Sequence, residues 1–187
     1  MKLIFIRHAE AEDAGHGAAG ADERRRLTKK GERQSRRMGD TLESLGVRPS
    51  LILASPLTRA VETANIIASR IKKSPAPVKT DTLQPSATWD HLKRSILTRA
   101  RPPVADAKKK PPAGQDRGEA VIFAVGHQPN LGEMAAAALA ADSARGIEMQ
   151  KGACIGLAWK GDKMEGAPEI CLALTPEAAK RIRKLGR

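Results

Sequence analysis

The segment that most constrains this chain is its first, Leu3-Ile4-Phe5-Ile6, an unbroken apolar run that ends on Arg7-His8 and turns polar at Glu10, Glu12 and Asp13. A short run without alternation reads as a strand buried on both faces, as inside a parallel sheet. Arg7 and His8 then sit at its carboxyl end, the edge where open α/β sheets gather their ligand sites. An arginine beside a histidine there offers a fixed anion clamp next to a nitrogen nucleophile, which suits phosphoryl chemistry.

The same pattern recurs along the chain. Leu51-Ile52-Leu53-Ala54 and Ala120 to Val125 read as two further buried strands. Thr28 reads as an N-cap, Met38, Leu42 and Leu45 share a helical face, and Gly46 supplies a stop, so the first helix is expected over about 28–45. Residues 9–27 before it form a long polar loop on the side of Arg7 and His8. Ser55-Pro56 reads as an N-cap followed by proline at the first helical position, opening a helix to about Lys72 with Arg59 in its first turn. An extended segment near Val78 to Thr80 and a helix from about Thr88 to Thr98 follow. Later, Pro129-Asn130 opens a helix to about Ala141, Ala153 to Trp159 and Glu169 to Leu174 form two strands, and Thr175-Pro176-Glu177 starts the last helix.

This alternation predicts an α/β fold, a three-layer α/β/α sandwich with a mostly parallel central sheet. The 187 residues fit one domain, 1–187. A Pro- and Lys-rich insert at about 101–118 is expected to be mobile and, joining a helix end to a strand start, to lie away from the site.

Composition narrows the partners. A net charge of +12 favours acidic ones, but two Trp, two Phe and no Tyr leave no stacking platform for single-stranded nucleic acid. The Lys108 to Lys110 run has no recognition motif beside it, so no nucleic-acid partner is expected. Cys154 and Cys171 fall on the two strands of one hairpin, where they could face each other, and read as ordinary core thiols outside any zinc spacing. With neither a leader pattern nor a membrane-length apolar stretch, a cytoplasmic protein without a membrane partner is expected.

The candidate site residues converge by topology: Arg7 and His8 follow one strand, Arg59 begins the helix after a second, and His127 follows a third. Two guanidiniums and two imidazoles without a hydroxyl nucleophile, a metal cage or a Gly-rich phosphate loop point to a histidine that itself attacks phosphorus. At these residues the chain resembles the histidine phosphatase, or phosphoglycerate-mutase-like, superfamily. The matching motifs are Arg7-His8, Leu27-Thr28 with Gly31, Ser55-Pro56 with Arg59-Ala60 and Glu62-Thr63, and Gly126-His127, in order from residue 2 to about 141. The Arg-His-Ala-Glu-Ala opening and Gly126-His127-Gln128-Pro129-Asn130-Leu131 are most similar to the bacterial phosphohistidine phosphatases of the SixA type.

The resemblance implies that His8 becomes transiently phosphorylated while Arg7, Arg59 and protonated His127 hold the phosphoryl oxygens, with neither metal nor cofactor. The chain departs from the family at Ala9, where many members have glycine, and at Leu83-Gln84-Pro85-Ser86-Ala87, where many carry a proton-donating glutamate. Losing a positioned acid costs about two to four powers of ten for an alkoxide leaving group, and a phosphorylated imidazole needs it less. Glu10 heads the loop carboxylates, with Glu12, Asp13 and Asp90, that could supply a proton instead. Arg24, Arg25 and Arg26 read as a solvated charge run, and His16 and His91 as surface side chains. A phosphohistidine protein is thus the expected substrate. A small-molecule phosphomonoesterase or phosphoanhydride hydrolase of the same superfamily, and a weakly catalytic phosphoprotein-binding module, remain as alternatives.

Overall fold

The computed structural model describes residues 1–13, 21–99, 119–139 and 146–185. The 101–118 insert and His16 lie outside them. Strand β1 (Lys2–Arg7) is flanked by β4 (Val121–Gly126), parallel to it, and β5 (Cys154–Ala158), antiparallel. The order β3-β2-β4-β1-β5-β6 adds β2 (Leu51–Ala54) and β3 (Val78–Lys79) on one side and β6 (Glu169–Leu174) on the other. Only β5 runs against the rest, so the sheet is mostly parallel, as expected.

Side-chain alternation explains the three layers. Leu3, Phe5, Leu53, Ile122 and Ala124 point to one face and pack on α4 (Trp89–Arg99) and α5 (Asn130–Ala138) through Leu92, Ile96, Leu131 and Met134. Ile4, Ile6, Ile52, Phe123 and Val125 point to the other, against α2 (Lys29–Ser44), α3 (Thr58–Arg70) and α6 (Pro176–Leu185). Being sandwiched on both faces is why these strands are continuously apolar.

Helix α2 begins as expected, with Thr28 Oγ1 accepting from the Gly31 N–H at 3.1 Å. Helix α3 does not. It starts at Thr58 with Leu57 at the cap position and no side-chain cap, so Ser55 lies too early to cap it, and its hydroxyl faces His127 instead. The 9–27 loop carries a short helix, α1 (Ala21–Arg24). Cys154 is buried and Cys171 exposed, and both are free. The hairpin pairs Cys154 with Leu174, and Cys171 falls where the register shifts beside Gly156, so the two do not face each other.

Candidate active site

The site is built on a pair of neighbouring strand ends. Arg7 on β1 stands opposite Gly126 on β4, and the next residue of each strand is a histidine. The His8 N–H donates to the Gly126 carbonyl at 2.9 Å, extending the ladder one step past both strands. Parallel register therefore sets the spacing of the imidazoles, whose ring centres lie 5.1 Å apart. The residue before His8 is held too: the Arg7 N–H donates to the Ala153 carbonyl, and the Gly152 N–H reaches the carbonyls of Arg7 and His8.

One contact fixes the tautomer of His8. Its Nδ1 lies 2.7 Å from the Ala9 carbonyl oxygen, which can only accept, so Nδ1 carries the proton and Nε2 keeps its lone pair. The Arg59 Nε–H donates to that lone pair at 3.3 Å. Burial, reinforced by His127, Arg59 and Arg7, outweighs the Ala9 hydrogen bond and pushes the His8 pKa down to about 3, so the imidazole is neutral at pH 7.

Arg59 is itself 5% exposed and held from two sides. Its Nη1 donates to the Asp22 carbonyl at 2.6 Å and its Nη2 to an Asp22 carboxylate oxygen at 3.1 Å, while the other oxygen takes Arg25 at 2.6 Å. Asp22, in α1, thus ties the 9–27 loop to the site, and its two arginines outweigh partial burial to keep its carboxyl below the ordinary range. Behind Arg59, Thr63 Oγ1 donates to the Arg59 carbonyl at 2.7 Å and accepts from the Ala9 N–H at 3.1 Å, linking helix α3 to the segment after His8.

His127 Nε2 lies 2.8 Å from Ser55 Oγ. Burial, then Arg59, lowers its pKa to about 4, so in the free site it is neutral, while the protonated form expected from the resemblance belongs to the phosphoryl-bound site. Its Nδ1 and the Arg7 Nε are buried with no partner among the described residues, polar atoms that a bound anion would satisfy. Arg7 Nη1 donates to the Met149 carbonyl at 2.6 Å.

The fold thus brings Arg7, His8, Arg59 and His127 together, and it does not bring Glu10 to them. One Glu10 carboxylate oxygen pairs with Lys30 at 2.5 Å and the other accepts from Thr28 at 3.1 Å, which hold the carboxyl ionised on the N-terminal turn of α2. His91 is exposed as expected. The arginine run is not simply solvated, since Arg25 holds Asp22 and Arg26 pairs with Glu62 at 2.8 Å. Asp22 and Ser55 are the site residues that sequence reasoning missed. Among the described residues no His, Cys, Asp and Glu are grouped to hold a metal, and no helix is long and apolar enough to cross a membrane.

A cavity of about 530 Å³ opens beside Asp22, the residue that holds Arg59, and is lined also by Glu23, Pro56, Leu57, Asp81, Gln84 and Pro85. Gln84 stands where a glutamate was expected to be missing, donating to Asp81 at 2.7 Å.

The profile of the histidine phosphatase superfamily (branch 1) matches residues 3–121. An uncharacterized protein of Picosynechococcus sp. is 32% identical over 157 residues, 84% of each chain. The chain is a histidine phosphatase superfamily member. The 2,3-bisphosphoglycerate-dependent phosphoglycerate mutase of Corynebacterium diphtheriae is 38% identical over 81 residues, 43% of this chain and 32% of its own. Among solved structures, the protein histidine phosphatase SixA complexed with tungstate superposes with TM-score 0.72 at 19% identity, covering 94% of this chain and 97% of that one. The SixA homologue of Agrobacterium tumefaciens gives 0.67 at 18% identity, with coverage of 94% and 97%. At that identity the structures establish the fold, the phosphoglycerate-mutase-like α/β/α sandwich that this superfamily member shares.

Proposed function

We propose that this histidine phosphatase superfamily member hydrolyses phosphohistidine in proteins through a phosphorylated His8. The observation that carries the reading is His8 itself, a neutral imidazole whose protonated Nδ1 is locked on the Ala9 carbonyl, leaving Nε2 as a nucleophile beside Arg59. In the first step Nε2 attacks phosphorus as the bond from phosphorus to the substrate nitrogen breaks. Arg7, Arg59 and His127 surround the phosphoryl oxygens, and the incoming negative charge draws a proton onto His127. Water then attacks the phosphorus on His8, breaking its bond to Nε2 and releasing phosphate.

The cavity beside Asp22 supports an N-linked substrate. Asp22, Glu23 and Asp81 on its wall favour a phosphorylated imidazole protonated on its free nitrogen, which departs as neutral imidazole without further acid. An alkoxide needs a proton donor, and Asp22 is held ionised. The activities of relatives that match less than half of the chain, such as the mutase above and the mitochondrial serine/threonine-protein phosphatase Pgam5 of Drosophila, support phosphate esters as the second reading.

Phosphate release from a phosphohistidine protein and from a panel of phosphomonoesters, measured with intact chain and with His8→Ala, tests both. The proposal expects the phosphohistidine protein to be cleaved fastest and His8→Ala to abolish release. Faster cleavage of the monoesters selects the second reading, and turnover by His8→Ala refutes the nucleophile.

A further inference from the structure

Arg7 faces a second concavity as well as the site. A groove of about 650 Å³ is lined by Arg7, Lys30, Arg33, Arg37, Lys151 and Lys180, with Gln34 and Gln150 between them. Among the described residues, Glu148 and Glu177 oppose these cations along its wall. Lys30 and Lys180 are matched by Glu10 and Glu177, but Arg33 and Arg37 form no ion pair among the described residues. Lys151 lies near enough to Glu10 to help hold that carboxylate ionised. Cations that outnumber the carboxylates along a concave surface favour an anionic occupant.

We infer that this groove is a docking subsite for an acidic stretch of the protein that carries the phosphoryl group, an inference that rests on the phosphoprotein reading above and sharpens it. The shape favours a chain over a lone phosphate. Lys30, Arg33 and Arg37 follow the turns of α2 from residue 30 to residue 37, about 10 Å of helix, which matches about three residues of an extended acidic segment. Arg7 lies at the junction, so a phosphoryl group at His8 and carboxylates in the groove engage one continuous positive surface.

The test uses two synthetic phosphohistidine peptides that differ only in a flank of glutamates or glutamines, the same pair carrying phosphoserine, and a fluorescein-labelled, unphosphorylated hexaglutamate. The intact chain is compared with Arg33→Glu/Arg37→Glu, whose folding is checked by its melting curve. The glutamate flank is expected to lower KM about tenfold at an unchanged kcat, an advantage that added salt and the double variant both remove. Hexaglutamate anisotropy, which requires no turnover, is expected to show binding that the variant weakens about tenfold.

Equal KM values for the two flanks, or a preference that survives the double variant, overturn the inference. So does tight inhibition by inorganic tripolyphosphate with no flank preference, which would make the groove a small-polyphosphate site. If only the phosphoserine pair is cleaved, the substrate reading under Proposed function fails, while the flank preference and the hexaglutamate titration still decide the groove.

Discussion

Asp22 holds two arginines with one carboxylate, and one of them is the guanidinium that reaches His8 Nε2. Its negative charge partly cancels Arg59 and repels any oxyanion arriving there. Asp22→Ala is therefore expected to tighten vanadate inhibition about tenfold while kcat falls, since Arg59 loses one of its two anchors. Inhibition constants for vanadate in both proteins check this, and an unchanged or weaker constant refutes it. Residues of this kind were not legible in the sequence. Arg7, His8, Arg59 and His127 declare themselves by standing at element boundaries, whereas Asp22 lies in a four-residue helix within a polar loop that has no hydrophobic period. Ser55 was misread because Ser-Pro before a helix has two structural meanings, and only the tertiary position of His127 separates them.

Helix α2 and the segment after His8 meet backbone to backbone at Gly31, beside the Glu10 side-chain contacts to Thr28 and Lys30. A Cβ at Gly31 would stand 1.9 Å from the Glu10 carbonyl oxygen, nearer than any real contact, so the first turn of α2 packs there only because position 31 lacks a side chain. Gly31→Ala must push the two apart. A loss of about 1–3 kcal/mol in urea unfolding is expected, together with a lower kcat as the chain after His8 shifts. An unfolding midpoint and kcat equal to those of the intact chain would show that the contact yields freely. At this scale the sequence was largely legible. Continuous apolar runs mark β1, β2 and β4 because both their faces are buried, and Thr28 marks the start of α2 because its cap is local. The start of α3 was harder, since no side-chain cap sets it, whereas the extended segment expected near Val78 to Thr80 is the two-residue β3.

The whole molecule carries the cost of two buried, uncharged histidines. Unfolded, His8 and His127 titrate near pH 6.5, and folded they hold out to about 3 and about 4. Between those limits the unfolded chain binds more protons, so stability is full above about pH 6.5 and falls as the pH drops toward 4. Melting temperatures from pH 7.5 down to 4.5 should decline, and less steeply in His127→Gln, which removes one of the two titrations. Identical slopes would place the acid sensitivity elsewhere.

The hydrogen bond from the His8 N–H to the Gly126 carbonyl has a consequence for the lifetime of the site. It lies at the centre of the sheet, between β4 and β1, and not in a hinged loop. The backbone spacing of the nucleophile from His127 is therefore set by the same ladder that joins the two strands. Separating the two histidine backbones would require β1 and β4 to part, so their spacing is expected to last as long as that strand pair does.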